Sequence, residues 1–381
     1  MIEQNENNNQ ASGYPFERGR IIIAGGGTGG HIFPAIAIAN AIKQLQPDTQ
    51  ILFVGAKGKM EMEKVPQAGY EIKGIDIAGF NRSSLIKNIG LPIKLIKSFL
   101  QVRKIIGVFK PDAVVGVGGY SSFPVLKQAQ FKGIPTFIHE SNSFAGKSNI
   151  LLGKNATKIF AATDGMEKFF PKEKIQVTGN PVRKSIAHSA VTRSEALRYF
   201  NLKENKITVL AVGGSLGARG INEALSKHLE AFSTYDLQLI WQTGKTSAAE
   251  YKEKGKGFLN VWADEFITKM EMAYAAADIV ISRSGAMAVT ELCTAKKPVI
   301  FVPFPFAAED HQTVNAQKLV DKKAALMIKD NEADAKLVPM AISLAENKDL
   351  QSELSQNIAK LAVSNADEII AREVLKPSPR P

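Results

Sequence analysis

The chain has 381 residues, 45% hydrophobic and 22% charged, with a formal net charge of +11. This is the composition of a folded globular protein long enough for two domains, not of a disordered or fibrous chain. No window offers the roughly 20 charge-free apolar residues of a transmembrane helix, and the basic balance points to polyanions: nucleic acid, nucleotide phosphates or an anionic membrane.

Residues 1–19 open on a polar, Asn-rich stretch instead of a basic-then-apolar leader, which predicts a disordered tail and a protein kept on the cytoplasmic side. The first strand, Ile21 to Ala24, stops at Gly25-Gly26-Gly27-Thr28-Gly29-Gly30-His31, and Pro34 to Leu45 follows as a helix. A strand running into glycines and a helix start is a place where backbone N–H groups meet phosphate. The loop formally matches a dinucleotide fingerprint. The next strand, Ile51 to Val54, ends in Gly55-Ala56-Lys57 with no acid for a ribose, which argues against a dehydrogenase. His31, at a helix start that disfavours imidazolium, is a candidate general base; a turn-capping histidine is the plainer alternative.

Leu85 to Phe109 is apolar, with Lys87, Lys94, Lys97, Arg103 and Lys104 interspersed and no acid. It reads either as an amphipathic segment for an anionic membrane or as a buried helix pair with snorkelling lysines. Ala113 to Val115 runs into a second glycine loop, Gly116 to Ser122, which contains Gly118, Gly119 and Tyr120. Thr136 to Ile138 leads to His139-Glu140-Ser141-Asn142, where Glu140 is the rival base or a turn residue on the sheet rim. Lys158 to Ala161 and Ile175 to Val177 are further strands before Gly179-Asn180-Pro181-Val182-Arg183.

After a charged helical link, Arg193 to Phe200, the pattern restarts. Ile207 to Val212 ends in a third glycine loop, Gly213 to Arg219, with Ala218 to Glu230 helical. Leu237 to Trp241, Leu259 to Val261, Ile279 to Ser282 and Val299 to Val302 are strands. Arg283-Ser284-Gly285-Ala286 opens a helix that carries Glu291 and the lone cysteine, Cys293, a small buried apolar residue. The alternation predicts an α/β protein of two Rossmann-like domains facing across a cleft. The boundaries fall at 20–182 and 183–354, with a last helix at about 355–375 packing back across the junction.

Gly26-Gly27-Thr28-Gly29-Gly30-His31, Gly118-Gly119-Tyr120, His139-Glu140-Ser141-Asn142, Gly179-Asn180-Pro181-Val182-Arg183, Gly213 to Arg219, Arg283-Ser284-Gly285-Ala286 and Gln312 stand in one order. Together they resemble the MurG family over about 21–375. The resemblance implies a glycosyltransferase of the GT-B type that inverts at the anomeric carbon, with no cofactor and no metal. The donor would be UDP-N-acetylglucosamine and the acceptor undecaprenyl-pyrophosphoryl-N-acetylmuramoyl-pentapeptide. The protein would sit peripherally on the cytoplasmic side of the cell inner membrane, with cell-wall synthesis proteins as partners. By position it implies donor contacts from Thr28, Gly29, Gly30, Asn142, Arg183, Ser215, Ile267 (to uracil, through its backbone) and Gln312. Ala286, Met287, Ala288, Val289 and Thr290 would cradle phosphate, and Glu291 would hold the ribose. Gly27, Gly118, Gly119 and Tyr120 would meet the acceptor pyrophosphate. Ser141, Leu216 and His311 depart from the family pattern. Another GT-B lipid glycosyltransferase, such as a galactolipid synthase, and a non-catalytic nucleotide-binding membrane recruiter are the alternatives. No nucleic-acid module is present.

Overall fold

The computed structural model describes residues 19–79, 90–187, 189–307, 310–363 and 365–376. All of the expected tail but Gly19, together with residues 377–381 and Lys87, lies outside the described residues.

The first sheet comprises β1 (Arg20–Ala24), β2 (Gln50–Ala56), β3 (Glu71–Ile75), β4 (Ala113–Gly116), β5 (Thr136–Glu140), β6 (Lys158–Ala161) and β7 (Ile175–Val177). Their order is β3-β2-β1-β4-β5-β6-β7, and every pair is parallel. The second sheet comprises β8 (Thr208–Val212), β9 (Gln238–Gln242), β10 (Val261–Asp264), β11 (Ile279–Ser282), β12 (Val299–Phe301) and β13 (Leu326–Met327). It runs β10-β9-β8-β11-β12-β13, again all parallel. A parallel sheet is covered on both faces, so its central strands are apolar throughout. Ile21 to Ala24 are all buried, and Ile22 pairs with both Leu52 and Val114.

In the first domain α1 (Gly29–Leu45) and α2 (Glu61–Gln67) cover one face, and α3 (Leu91–Phe109), α4 (Ser122–Phe131) and α5 (Lys147–Gly153) the other. A short α6 (Lys184–Ala187) and α7 (Arg193–Tyr199) lead into the second domain. There α8 (Arg219–Lys227), α9 (Leu229–Thr234), α10 (Ala248–Lys256), α11 (Met270–Ala276), α12 (Ala286–Ala295), α13 (His311–Val320), α14 (Ala333–Glu346) and α15 (Lys348–Ala359) surround the sheet. α7 opens on a capping box in which Thr192 and Glu195 satisfy each other's backbone N–H.

Several elements differ from expectation. The first helix starts at Gly29 and contains Pro34, so His31 lies inside its first turn instead of before it. β3 sits at a sheet edge, where Glu71 and Lys73 face solvent, and lacks the apolar run that marks the other strands. Leu259 is fully exposed, and a turn from Phe258 delays β10 to Val261. The last helix is two helices. α15 buries Leu354 and Ile358 in the second domain; the chain turns at Asn365 (φ 68°); and α16 (Ala366–Leu375) buries Ile370, Ala371, Val374 and Leu375 beside α1. Lys158 and Glu373 pair across that junction.

In both sheets the winding reverses beside the first strand, between β1 and β4 and between β8 and β11. Ligands of doubly wound sheets bind at such switch points, beyond the carboxyl ends of the strands. The glycine loops after β1, β4 and β8 and the turn after β11 occupy these four ends.

Candidate functional site

Loops after β1 and β4 lie directly against each other. A Cβ on Gly119 (φ 81°) would fall 2.4 Å from Gly26 O, so only glycine lets the two loops close. His31 rises from α1 beside them. Its Nδ1 lies 3.1 Å from Gly26 O and 3.4 Å from Thr28 Oγ1. A carbonyl oxygen only accepts, so Nδ1 carries the ring proton and Nε2 holds the lone pair. The Nε2 edge borders Gly118, where a Cβ would come within 2.8 Å of Nε2 and Cδ2. Burial holds the ring below the ordinary histidine value of 6.5, opposed by Glu140, the Gly26 carbonyl and Glu61 in that order. Tyr120 lies over Gly27, and burial, with Glu61 nearby, raises its phenol above the ordinary tyrosine value.

Glu140, at the end of β5, is buried and fully engaged. It accepts from Asn142 N (3.1 Å), Asn142 Nδ2 (3.3 Å), Gly146 N (3.1 Å) and Asn149 Nδ2 (2.8 Å). Its oxygens are thus taken up in shaping the 141–146 loop, and Asn142 is held within that network. His139 beside it is buried, and desolvation pushes its pKa down to about 4. Ser141, one of the departures from the family pattern, packs its Oγ 3.4 Å from His139 Nδ1.

In the second domain, α12 begins after Gly285, and its first backbone bond is Val289 N–H to Gly285 O at 3.0 Å. The N–H groups of Ala286, Met287 and Ala288 precede that bond and have no intrahelical partner, as at any helix start. Met287 faces Gly30 across the cleft, 4.0 Å from where a Cβ on that glycine would be. Thr290 Oγ1 bonds Ala286 O (2.9 Å) and accepts from Asn180 Nδ2 (3.0 Å), whose amide also reaches Ser141 O (3.3 Å). Asn180 therefore ties the first domain's β5 loop to α12, a role no sequence motif announced.

Arg183 spans the junction. Nε and Nη2 grip the Glu291 carboxylate at 3.0–3.2 Å, and the guanidinium stacks over Phe33 of α1 at 4.5 Å. Tyr274 also donates to Glu291, at 3.2 Å. Ser215 sits in the loop after β8, where Lys245 N–H donates to Ser215 O at 3.1 Å. The Ile267 N–H, expected to be free for a ligand along with its carbonyl, is given to Gln242 Oε1 at 3.0 Å. Gln312 Oε1 accepts from Phe304 N at 3.0 Å, leaving its amide NH₂ to donate. Arg283 does not face the helix start. It braces Val302 O, Pro303 O and Asp330, and so fixes the root of the loop leading to Gln312. Leu216 is 70% exposed.

The basic surface lies on α3. On α3 only Ser98, Val102 and Ile106 are fully buried; Ile93, Ile96, Leu100 and Val108 are exposed among Lys94, Lys97, Arg103 and Lys104. Lys97 pairs with Asp76 at 3.2 Å. No helix among the described residues is long and apolar enough to cross a membrane.

Residues 21–161 match the glycosyltransferase family 28 N-terminal domain, and 208–372 the C-terminal domain of the same family. A Bacteroides fragilis protein named UDP-N-acetylglucosamine--N-acetylmuramyl-(pentapeptide) pyrophosphoryl-undecaprenol N-acetylglucosamine transferase is 52% identical, covering 97% of this chain and 98% of its own. A Bacteroides thetaiotaomicron protein of the same name is 53% identical over 94% of this chain and 97% of its own. The crystal structure of Acinetobacter baumannii MurG superposes with a TM-score of 0.71 at 29% identity, covering 93% of this chain and 99% of that one.

Proposed function

We propose, from the premise that the chain belongs to the MurG family of glycosyltransferase family 28, the following division of labour in its cleft. The protein is a GT-B transferase that moves N-acetylglucosamine from UDP-N-acetylglucosamine to the 4-hydroxyl of N-acetylmuramic acid in undecaprenyl-pyrophosphoryl-N-acetylmuramoyl-pentapeptide, in peptidoglycan synthesis.

His31 is the general base. The supporting observation is that Nδ1 is committed to Gly26 O, so the lone pair on Nε2 borders the open position at Gly118. The acceptor O4–H gives its proton to Nε2 as O4 bonds the anomeric carbon from the face opposite the diphosphate. The bond from that carbon to the β-phosphate oxygen breaks, and UDP leaves with the electron pair. Glu140 holds the loop that carries Asn142. Thr28, Gly29 and Gly30 border the donor, while Gly118, Gly119 and Tyr120 receive the acceptor pyrophosphate; the Gly27 N–H expected to join them is already given to Glu61.

The departing charge is met by the free N–H groups of Ala286, Met287 and Ala288 and by Ser215. Arg183 keeps its Nη1 edge for the diphosphate while Glu291 holds the opposite edge and turns an oxygen to the ribose. Val289 and Thr290 shape the helix start, the Ile267 carbonyl meets uracil, and Gln312 donates to the sugar. α3 lies on an anionic membrane, apolar side chains inserted and lysines at the headgroups.

The test is UDP release from UDP-N-acetylglucosamine with and without a short-chain lipid-linked muramyl-pentapeptide. Acceptor-dependent release with a disaccharide product is expected; tight UDP binding without release would leave only a nucleotide-binding protein. UDP-galactose use with diacylglycerol would favour a galactolipid synthase instead.

A further inference from the structure

Gly26 C=O and Gly27 N–H are the two poles of one peptide group. On one side Gly26 O accepts the Nδ1–H of His31 at 3.1 Å. On the other, Gly27 N–H donates to Glu61 Oε2 at 2.9 Å. Glu61 is the first residue of α2 and only 1% exposed. Its other oxygen, Oε1, accepts Ala56 N–H at 2.9 Å, which anchors the carboxylate to the end of β2. The packing around it leaves no room for adjustment. A Cβ on Gly26 would fall 2.2 Å from Oε1, and one on Gly55 2.5 Å from Glu61 Cγ. The glycine loop and the end of β2 have closed on the carboxylate.

We infer that Glu61 is a positioning residue for the transfer, acting through the Gly26–Gly27 peptide to fix the tautomer and orientation of His31; this rests on His31 being the base. A carboxylate that accepts the amide N–H polarises the peptide and strengthens its carbonyl as an acceptor for Nδ1–H. The proton is thereby kept on Nδ1 and the lone pair on Nε2. When Nε2 takes the acceptor proton, the buried negative charge one peptide away stabilises the imidazolium. Glu61 touches no reacting atom. The other titratable groups facing this relay are Glu140 and His139, next to His31 from β5, and Tyr120, next to Glu61 from the β4 loop.

The variant is Glu61→Gln, which keeps the shape, removes the charge and turns an NH₂ toward one of the two N–H donors. Activity is read with the soluble acceptor, alone and in a Glu61→Gln, His31→Asn double variant, with melting and UDP binding as checks on folding. kcat should fall on the order of 100-fold with the donor KM unchanged. The acid limb of the pH profile of kcat/KM should move to lower pH, and the His31→Asn enzyme should lose nothing further. A purely structural Glu61 would cost the same factor in both backgrounds and leave the acid limb in place, which would overturn the inference. Wild-type kcat in Glu61→Gln would overturn it as well. Independently of any variant, ¹⁵N NMR of histidine-labelled wild-type protein reads the His31 tautomer: Nδ1–H is expected, and Nε2–H refutes the relay even if Glu61→Gln fails to fold. A His31→Asn enzyme with near-normal activity would instead sink the base assignment itself.

Discussion

Gly118→Ala tests the space in front of the base. The added Cβ lands 2.8 Å from His31 Nε2 and Cδ2, roughly 0.7 Å inside the ~3.5 Å at which carbon contacts become favourable. Gly118 also has φ 94°, a conformation that side chains resist. Backbone strain and overpacking together come to about 2–5 kcal/mol. The cheapest relief is for the imidazole to swing away, and a displacement approaching 1 Å costs on the order of 100-fold in rate. In the proposed site the uracil, ribose and diphosphate contacts come from α12, Ile267, Ser215 and Arg183 and none from Gly118, so the donor KM should hold while kcat collapses. Gly58→Ala is the control: φ is 69°, but nothing lies within 4 Å of its Cβ, so it carries strain without collision. It should lower Tm and spare kcat. Steady-state UDP release with the short-chain acceptor reads both variants. A Gly118→Ala enzyme with wild-type kcat would refute the placement of the reacting hydroxyl at Nε2.

His31→Ala should cost ~10²–10⁴-fold in kcat, and the wild-type acid limb should lie below pH 6.5, because burial lowers the ring's pKa and the base must be neutral; a limb above 6.5 contradicts this. His139 makes stability pH-dependent. It is neutral when folded, with a pKa of about 4 against 6.5 unfolded, so the unfolded chain binds the extra proton. Stability is therefore full above pH 6.5 and declines as pH falls toward 4, by about 3 kcal/mol; an undiminished slope of Tm against pH in His139→Gln would refute it. Arg183→Ala strands the buried Glu291 with Tyr274 alone and should lower stability by roughly 3 kcal/mol and raise the donor KM; a double-mutant cycle with Glu291→Gln showing no coupling would count against the pair. Reversing Lys94, Lys97, Arg103 and Lys104 to Glu should abolish pull-down by anionic vesicles at low salt and leave turnover of the soluble acceptor intact, and unchanged pull-down would remove this surface.

Much of the architecture was legible because parallel strands buried on both faces are written as uninterrupted apolar runs, three of them halted by glycine-rich loops. The edge strand β3 was missed because Glu71 and Lys73 reach solvent and break the apolar run, and β10 was placed two residues early because Leu259 is apolar without being buried. Site residues that hold backbone were legible as glycines; residues that hold those glycines were not. The missing ribose acid after β2 is instructive. An acid does lie close to that strand's end, at Glu61, but its carboxylate grips Ala56 and Gly27 instead of pointing at a ligand. Nothing in Lys59-Met60-Glu61-Met62-Glu63 distinguishes the buried glutamate from the exposed one at Glu63. Asn180 stood in a recognised motif but its bonds did not, and Tyr274 was not seen at all, since the partners Ser141, Thr290 and Glu291 are distant in sequence.

The two domains share a winding but carry opposite electrical characters at their switch points, and this follows from what an inverting transfer does with charge. A proton arrives at the base while negative charge gathers on the departing diphosphate. Around His31 the nearby carboxylates are Glu61 and Glu140, both buried and both favouring a positive ring. Across the cleft the α12 start and the Arg183 guanidinium favour an anion. Were the two characters exchanged, a base beside the arginine would be held neutral throughout, and the departing diphosphate would gather its charge beside carboxylates. The imidazole is kept neutral at rest by burial, so the carboxylates matter only once the proton is moving. The polarity of the cleft thus parallels the charge displacement of the proposed reaction, with its negative end built from carboxylates already engaged by the protein's own N–H groups.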